Sequence, residues 1–454
     1  MRTADATIQG DRPPRFVPQG QSRGKVPVVL AAILFYALLI PQQFNITIAD
    51  VYLSPFRIYL IGATLYILAG AARQSMRFVW PDLFIVLTLC WIWIASYFSS
   101  GSVNTAVIMG GSHTVDIGLS YFLARATIQT AGDFRRLLVL IAPGVGFVSA
   151  ILVLESVTHT LILQRVAAAM TGSMAPPRME VRMGLMRGWG SFPHPILAGI
   201  YLGSLLPLYM LSGLRGWPKH VGVFAAIGGI FSMSSAAMLA VVAGGLLCYY
   251  DRIASRIGNL NWRLFLVFIG MLYIVVELTT KSGFYNLLIR YASLNTVSAY
   301  NRVLIWNFGT ANVAEHPWFG IGYADWERPD WMHSDSFDHF WLITALRFGI
   351  PAFVFLFGAT MIGLIMIALK SRELSHHDAT MLRGIAISMG VFALGVNSVS
   401  LWMAPLAWFC MLIGITVSLG SQKVPQRFVM RPPRADNLVA NGARPPLAPS
   451  LPPG

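Results

Sequence analysis

The first residues whose type and spacing could do chemistry are two arginines near the middle of the chain. Arg182 and Arg187 lie in MEVRMGLMRGWGSFPHPILAGIYLG, residues 179–203, ahead of two glycines and of His194, which stands between two prolines. A guanidinium donates bidentately to phosphate oxygens and stays charged, so this pair is suited to binding a diphosphate. The alternative is that both side chains extend to lipid headgroups.

A second polar segment, SAYNRVLIWNFGTANVAEHPWFGIGYADW, contains Arg302 and Trp306. A separation of four residues places both side chains on one face of a helix. Aromatic rings beside arginine and acids form sugar-stacking surfaces. The alternative is a structured loop in which Trp306, Trp318 and Trp326 form an interfacial aromatic belt, and the residue types leave both interpretations open.

A third segment, HSDSFDHFWLITALRFGIPAFVF, places Asp335, Asp338 and His339 before an apolar helix, with Arg347 two to three turns later. A carboxylate next to an imidazole at a membrane boundary is a suitable general base. The alternative is a helix N-cap formed by Ser334 or Asp335, with His339 facing water.

Ionisable residues also occur within one apolar segment, at His113 and Asp116 close to Ser112. Such groups are costly in lipid and are functional candidates by default. We expect a structural hydrogen-bonding role here rather than a proton relay.

Composition indicates which elements hold these residues. Of 454 residues, 56% are hydrophobic and 11% are charged, which excludes a soluble single domain. Half of the formal charge of +14 lies in two tails, with five Lys/Arg against two acids in residues 1–25 and five against one in residues 420–454. Basic tails beside apolar spans are typical of membrane topology, so we predict membrane lipids and no nucleic acid as partners.

Twelve apolar segments predict an all-α fold, a polytopic transmembrane helical bundle of about 12 spans. Both tails, rich in proline and polar residues, are predicted to be disordered. The segments lie near residues 26–41, 57–71, 79–98, 105–124, 137–154, 195–212, 220–232, 233–250, 264–279, 345–369, 383–399 and 401–419.

The distribution of basic residues predicts that both termini are cytoplasmic. This orientation puts 23 Lys/Arg on the inner side and ten on the outer side, in agreement with the positive-inside rule. Two long outer loops, at about 155–194 and 280–344, hold eight of those ten outer cations. The candidate chemistry is therefore expected on the outer face of the membrane.

Sequence patterns for bound metals and cofactors are missing. Each of the three cysteines lies in an apolar run, and the chain has no Walker motif, dinucleotide-binding glycine motif or His/Cys/Asp metal spacing. We therefore predict no metal and no cofactor.

The order RMGLMRGWGSFPHPILAG, NRVLIW, HPWFGIG and DHFWLITALRFG resembles the O-antigen ligase and Wzy-type polysaccharide polymerase family of bacterial inner membranes, over about residues 180–400. PHPIL and DHFWL look like the exopolysaccharide polymerase branch. The resemblance implies one transmembrane glycan polymerase or ligase domain at residues 26–419. It also implies a metal-independent glycosyltransferase that uses a glycan linked to undecaprenyl diphosphate, with a chain-length regulator protein as a candidate partner.

By resemblance, Arg187 or else Arg182 corresponds to the family's first arginine, and Arg302 to its second. The family shows a His-Asn pair eleven positions before a glycine, so counting back from Gly349 places Asp338 at the family's His. The base is then one or both members of the Asp-His pair. The predicted catalytic residues are Asp338, His339 and Arg302, and the predicted substrate-binding residues are Arg182, Arg187, His194, Trp306 and Arg347.

These features predict an inner-membrane polymerase of exopolysaccharide repeat units that transfers glycan to an acceptor sugar hydroxyl on the periplasmic face. One alternative is an O-antigen ligase, which uses lipid A core as acceptor. Another is a flippase or transporter of lipid-linked oligosaccharide, which predicts ionisable groups along the spans, and only His113 and Asp116 fit that pattern well.

Overall fold

The computed structural model describes residues 26–48, 51–73, 77–174, 180–257, 261–280, 296–332 and 336–422. Helices account for 76% of these residues, which confirms the predicted all-α class. The predicted tails, 1–25 and 420–454, lie outside the described residues except for 420–422, so their disorder stays a prediction.

Fifteen α-helices are described, together with two short antiparallel hairpins. The helices are α1 (Val29–Leu38), α2 (Pro55–Arg73), α3 (Trp80–Ser100), α4 (Val103–His113), α5 (Ser120–Thr127), α6 (Ala131–Thr158), α7 (Ile162–Thr171), α8 (Pro195–Leu211), α9 (Trp217–Gly228), α10 (Ser235–Ala254), α11 (Trp262–Thr279), α12 (Thr296–Glu315), α13 (Phe340–Lys370), α14 (His376–Gly395) and α15 (Met403–Gly420). Strands β1 (Ile46–Ile48) and β2 (Val51–Leu53) form one hairpin, and β3 (Val181–Arg182) and β4 (Leu185–Met186) form the other. A π-helical segment, Thr114–Leu119, joins α4 to α5.

Every predicted span coincides with one helix or with two consecutive helices. Among the described residues, seven helices are long and apolar enough to cross a membrane, and the total of twelve is not confirmed. Four of the five missing spans are accounted for by helix length, because α1, α8 and α9 have only 10, 17 and 12 residues and the π-helical segment interrupts the predicted fourth span. The seven helices are α3, α6, α10, α11, α13, α14 and α15.

Helices α8 and α15 form the centre of the bundle, since nearly all their side chains are buried. Trp408 on α15 is fully buried, and its ring lies 5.3 Å from that of Phe35 and 5.5 Å from that of Tyr201. The residues that precede these two helices, His194 and Trp402, have ring centroids 6.5 Å apart. The first turns of α8 and α15 therefore lie at the same end of the bundle.

Helix α13 is kinked at Gly349, where φ is +82°. Pro351 removes a helical hydrogen bond there, and the Ile350 backbone N–H instead donates to the Pro317 carbonyl at 2.8 Å. A side chain at position 349 would place Cβ 1.7 Å from the Trp318 carbonyl oxygen, so only glycine fits. The kink fixes the loop after α12 against the first half of α13.

Candidate functional site

The segment that carries Arg187 begins with the β3–β4 hairpin. Its two central residues, Met183 and Gly184, have φ of +53° and +79°, which is the backbone of a tight type I′ turn. Arg187 follows β4, and its backbone N–H donates to the Glu180 carbonyl at 2.9 Å. The hairpin therefore holds both arginines of the segment next to Glu180.

The guanidinium of Arg187 is buried, since only 3% of the residue is exposed. Its Nη1 donates to the Glu180 carboxylate at 2.7 Å, and its Nε donates to the Ser232 carbonyl at 3.4 Å. Its Nη2 is buried and bonds no atom of the described part of the chain. Burial lowers the pKa of Arg187, against the opposing effect of Glu180, but an arginine remains charged in proteins.

Arg182 is more exposed than Arg187 and also contacts Glu180, at 3.4 Å. Its second contact is with the Met233 carbonyl, again at 3.4 Å. Burial raises the pKa of Glu180, but the hydrogen bond from Arg187 and the charges of both arginines together outweigh burial, so that the pKa is lowered. Arg182, Arg187 and Glu180 therefore form a cluster of two cations and one carboxylate.

His194 caps the N-terminus of α8, where its Nδ1 accepts the Ile196 N–H at 3.3 Å. Burial, followed by the charge of Arg187, lowers the pKa of His194 to about 4, so that the ring is neutral near pH 7. Its ring lies 6.0 Å from that of Trp189 and 6.5 Å from that of Trp402.

Arg302 and Trp306 lie on α12, as their spacing predicted. Arg302 is 8% exposed, and its Nη2 donates to the Ser398 carbonyl, in the turn before α15, at 3.3 Å. The Trp306 ring lies 5.5 Å from that of His339. Helix α12 therefore packs across both the start of α13 and the turn before α15.

His339 caps the N-terminus of α13, where its Nδ1 accepts the Leu342 N–H at 3.2 Å. The residue is only 3% exposed, so the alternative in which His339 faces water is wrong. Burial lowers the pKa of His339 to about 4. The other residues of that alternative, Ser334 and Asp335, lie outside the described residues.

Asp338 interacts electrostatically with one arginine from each of the two predicted outer loops. Burial raises the pKa of Asp338, while the charges of Arg302 and Arg187 and a 3.2 Å hydrogen bond from the Ser336 hydroxyl oppose that rise. The carboxylate therefore lies within electrostatic reach of both arginines. We call Arg187, Arg302 and Asp338 the Arg-Asp site.

Arg347 belongs to a different cluster. Its guanidinium stacks over the Tyr323 ring at 4.2 Å, and its charge acts on His113. In the same cluster Asp116 accepts two hydrogen bonds from Arg57, at 2.8 and 2.6 Å, which fits the structural role expected for Asp116. A cavity of about 40 Å³ lies against His113 and Arg347.

Three residues of the site were missed from the sequence. Glu180 has a local signal, since an acid two residues before Arg182 and seven before Arg187 is a natural counter-ion. Ser398 and Trp402 have none, because their contacts join segments far apart in the chain. Within the described residues, no three His, Cys, Asp or Glu side chains are grouped as metal ligands.

Part of the chain matches a known protein family. Residues 220–357 match the Wzy_C family model, which describes an O-antigen ligase, and this region includes Arg302, Asp338 and His339 but not Arg187. A search of the curated proteins finds no significant match. The match over residues 220–357 supports the resemblance of this chain to the O-antigen ligase and Wzy-type family.

Proposed function

We propose that this chain is a polymerase of exopolysaccharide repeat units in the bacterial inner membrane. It transfers a glycan from undecaprenyl diphosphate to an acceptor sugar hydroxyl at the periplasmic face. The observation that carries the proposal is the Arg-Asp site, in which one half-buried carboxylate lies within electrostatic reach of two buried arginines from different segments. Such a site offers donors to an anionic leaving group beside a base for the attacking hydroxyl.

The two arginines hold the donor diphosphate. Two nitrogens of Arg187 donate hydrogen bonds to the Glu180 carboxylate and the Ser232 carbonyl. The remaining buried nitrogen, Nη2, has no partner among the described atoms and can donate to a phosphate oxygen. As the glycosidic bond to the diphosphate breaks, negative charge grows on that phosphate. Fixed cations at a buried position stabilise growing charge more strongly than water does.

Asp338 is the base in this proposal, and His339 is its neighbour rather than the proton acceptor. The Nδ1 of neutral His339 accepts the Leu342 N–H, so the proton of the ring is assigned to Nε2 and no free basic nitrogen remains. A pKa raised by burial makes Asp338 a stronger base than an exposed aspartate.

The proposed step is a single displacement with inversion at the anomeric carbon. The acceptor oxygen forms a bond to that carbon while its proton passes to the Asp338 carboxylate. The bond between the carbon and the diphosphate oxygen breaks, and its electron pair leaves with undecaprenyl diphosphate. Trp306 lies four residues after Arg302 on α12, and His194 lies within electrostatic reach of Arg187. They are proposed to contact the sugar and the donor lipid headgroup.

The topology proposed for this reaction has twelve spans and two cytoplasmic termini. It puts the Arg-Asp site at the outer face, because the two segments that form the site come from the predicted outer loops. Membrane lipids surround the bundle, and a chain-length regulator protein remains a proposed partner.

The test is polymer synthesis in a deletion strain that expresses single variants. Arg302→Ala should abolish polymer while the protein remains in the membrane. Arg302→Lys should rescue poorly, since an ammonium is a point charge without the planar fork of donors. Arg165→Ala, which removes an exposed arginine of α7, is the matched control and should leave polymer length unchanged. Normal polymer in the Arg302→Ala strain would remove the proposal.

The second candidate is an O-antigen ligase, which the matched family region favours. The two reactions share the donor and differ in the acceptor. Surface glycans of the deletion strain separate them, because lost capping of lipopolysaccharide indicates a ligase, whereas lost or single-unit exopolysaccharide indicates a polymerase.

A further inference from the structure

Glu155, in the last turn of α6, is fully buried and accepts four backbone hydrogen bonds. Its Oε1 accepts the N–H groups of Ile162 at 2.8 Å and Leu163 at 3.2 Å, at the start of α7. Its Oε2 accepts those of Trp189 at 2.9 Å and Gly190 at 2.7 Å. One carboxylate thus joins the end of α6, the start of α7 and the segment that follows Arg187.

The chemistry of the donors explains how a charge is kept at this position. The first N–H groups of a helix have no partner within the helix and favour a negative charge. No Lys or Arg of the described residues pairs with Glu155, so backbone N–H groups alone compensate it there. A buried carboxylate without these donors would be strongly unfavourable, so the four bonds hold the three segments in one arrangement.

The segment after Arg187 has little freedom to move away from α6. A Cβ at Gly188 would lie 2.5 Å from the Leu152 carbonyl oxygen, so the two backbones are in direct contact. Gly190 has φ of +56°, and its carbonyl accepts a 3.1 Å hydrogen bond from the Gln164 side chain on α7. The backbone position of Arg187 therefore depends on the end of α6.

We propose that Glu155 is a positioning residue for Arg187, through the Trp189 and Gly190 backbone, and so sets the affinity for the donor diphosphate. This inference rests on the proposed function, because it assigns the diphosphate to Arg187. Glu155 itself does not touch the donor. Glu155 holds the backbone two residues after Arg187, at Trp189, and so fixes the position of the Arg187 guanidinium.

The test uses Glu155→Gln, which keeps the size of the side chain and replaces one oxygen by an NH₂ group that cannot accept the two N–H groups facing it. Purified full-length protein in detergent is titrated with undecaprenyl diphosphate. The variant should bind about tenfold more weakly, the effect of losing hydrogen bonds to a charged group. Glu373→Gln, which removes an exposed acid paired with Lys370, is the matched control and should bind as the wild type does.

A cycle with Arg187→Ala separates positioning from general damage to the fold. If Glu155 acts through Arg187, then Glu155→Gln causes no further loss of binding in the Arg187→Ala background. Equal losses in both backgrounds, or no loss in the wild-type background, would overturn the inference.

Hydrogen exchange of the protein without added ligand distinguishes failure of the proposed function from failure of the positioning role of Glu155. Glu155→Gln should speed exchange of the Trp189 and Gly190 amides by about tenfold, whatever the ligand is. If wild-type protein fails to bind undecaprenyl diphosphate while this exchange effect is present, the proposed function fails and the structural link stands. If exchange is unchanged, the positioning role is refuted even when the wild type binds.

Discussion

The guanidinium of Arg187 donates a 2.7 Å hydrogen bond to the carboxylate of Glu180, seven residues earlier in the chain. The two side chains differ in environment, since Arg187 is 3% exposed and Glu180 is 53% exposed. Glu180 therefore occupies Nη1 of the arginine and places a negative charge beside Nη2, the donor proposed for the diphosphate.

Removal of this charge should strengthen binding of the donor headgroup. In Glu180→Gln the diphosphate no longer displaces or faces a carboxylate, so its Kd should fall by about two- to fivefold, the range of a solvent-exposed ion pair. The measurement is a titration of purified protein with undecaprenyl diphosphate. Weaker binding would instead mean that Glu180 is needed to hold Arg187 in place.

The pH dependence of transfer should identify the base. Burial raises the pKa of Asp338, so the carboxyl keeps its proton to a higher pH than an exposed aspartate does. Since the base must be deprotonated, the rate should fall as the pH is lowered through that raised pKa. Initial rates measured across about pH 4 to 8 would show this fall, the acid limb of the pH–rate profile. Its midpoint should lie above the ordinary aspartate pKa of about 3.9.

Two substitutions test the assignment of that limb. Asp338→Asn should lower the rate by about 10²- to 10⁴-fold. Asp338→His, which introduces the residue that the family shows at this position, should restore part of the rate and move the limb toward the ordinary histidine pKa of about 6.5. An acid limb that stays at its wild-type position in Asp338→His would assign it to another group.

His339 should make folding stability depend on pH in the opposite sense to a salt-bridged histidine. Its pKa is about 4 in the folded protein, below the ordinary value, so between these two values the unfolded chain binds a proton that the folded chain does not. The contribution of neutral His339 to the free energy of unfolding is fully present above about pH 6.5. It is lost as the pH falls toward 4, at up to about 1.4 kcal/mol per pH unit. His194 adds a second dependence of the same sign.

His339→Asn keeps an N-cap acceptor and removes the titrating group. The slope of the thermal midpoint against pH should therefore fall by about half, while transfer continues, because Asp338 is retained. The thermal midpoint is measured in detergent at several pH values. An unchanged slope, or loss of transfer at neutral pH, would contradict the roles assigned to the two residues.

The helices of the bundle could be predicted because burial in lipid demands long apolar runs, which are local properties of the sequence. Helix α7 was not predicted, and α12 was indicated only by the spacing of Arg302 and Trp306, since each helix contains polar residues and lies within a segment expected to be an outer loop. Their boundaries depend on contacts from elsewhere, such as the Glu155 carboxylate at the start of α7.

The candidate site was predictable in residue type but not in arrangement. Arg187, Arg302 and Asp338 could each be selected because charged groups near apolar spans are costly without a role. Their proximity was implied by the family resemblance alone, since Arg187 and Asp338 are joined only by the packing of separate helices. Arg347 shows the limit, because its position near Asp338 in the sequence did not predict that it faces Tyr323.

Gly349 should be the least replaceable glycine of α13. Gly349→Ala would require an alanine at φ of +82° and would place Cβ 1.7 Å from the Trp318 carbonyl oxygen. The backbone strain alone costs about 1–3 kcal/mol. That carbonyl cannot move freely, because it also accepts a 3.2 Å hydrogen bond from the Trp91 indole, so little folded protein should be recovered.

Gly390→Ala on α14 is the matched control, since a Cβ there meets no atom within 4 Å. This substitution should be neutral or stabilising by up to about 1 kcal/mol, because alanine is the better helix former. The yield of monodisperse protein and the thermal midpoint in detergent compare the two variants. Equal yields would show that the loop after α12 can leave α13 without unfolding the protein.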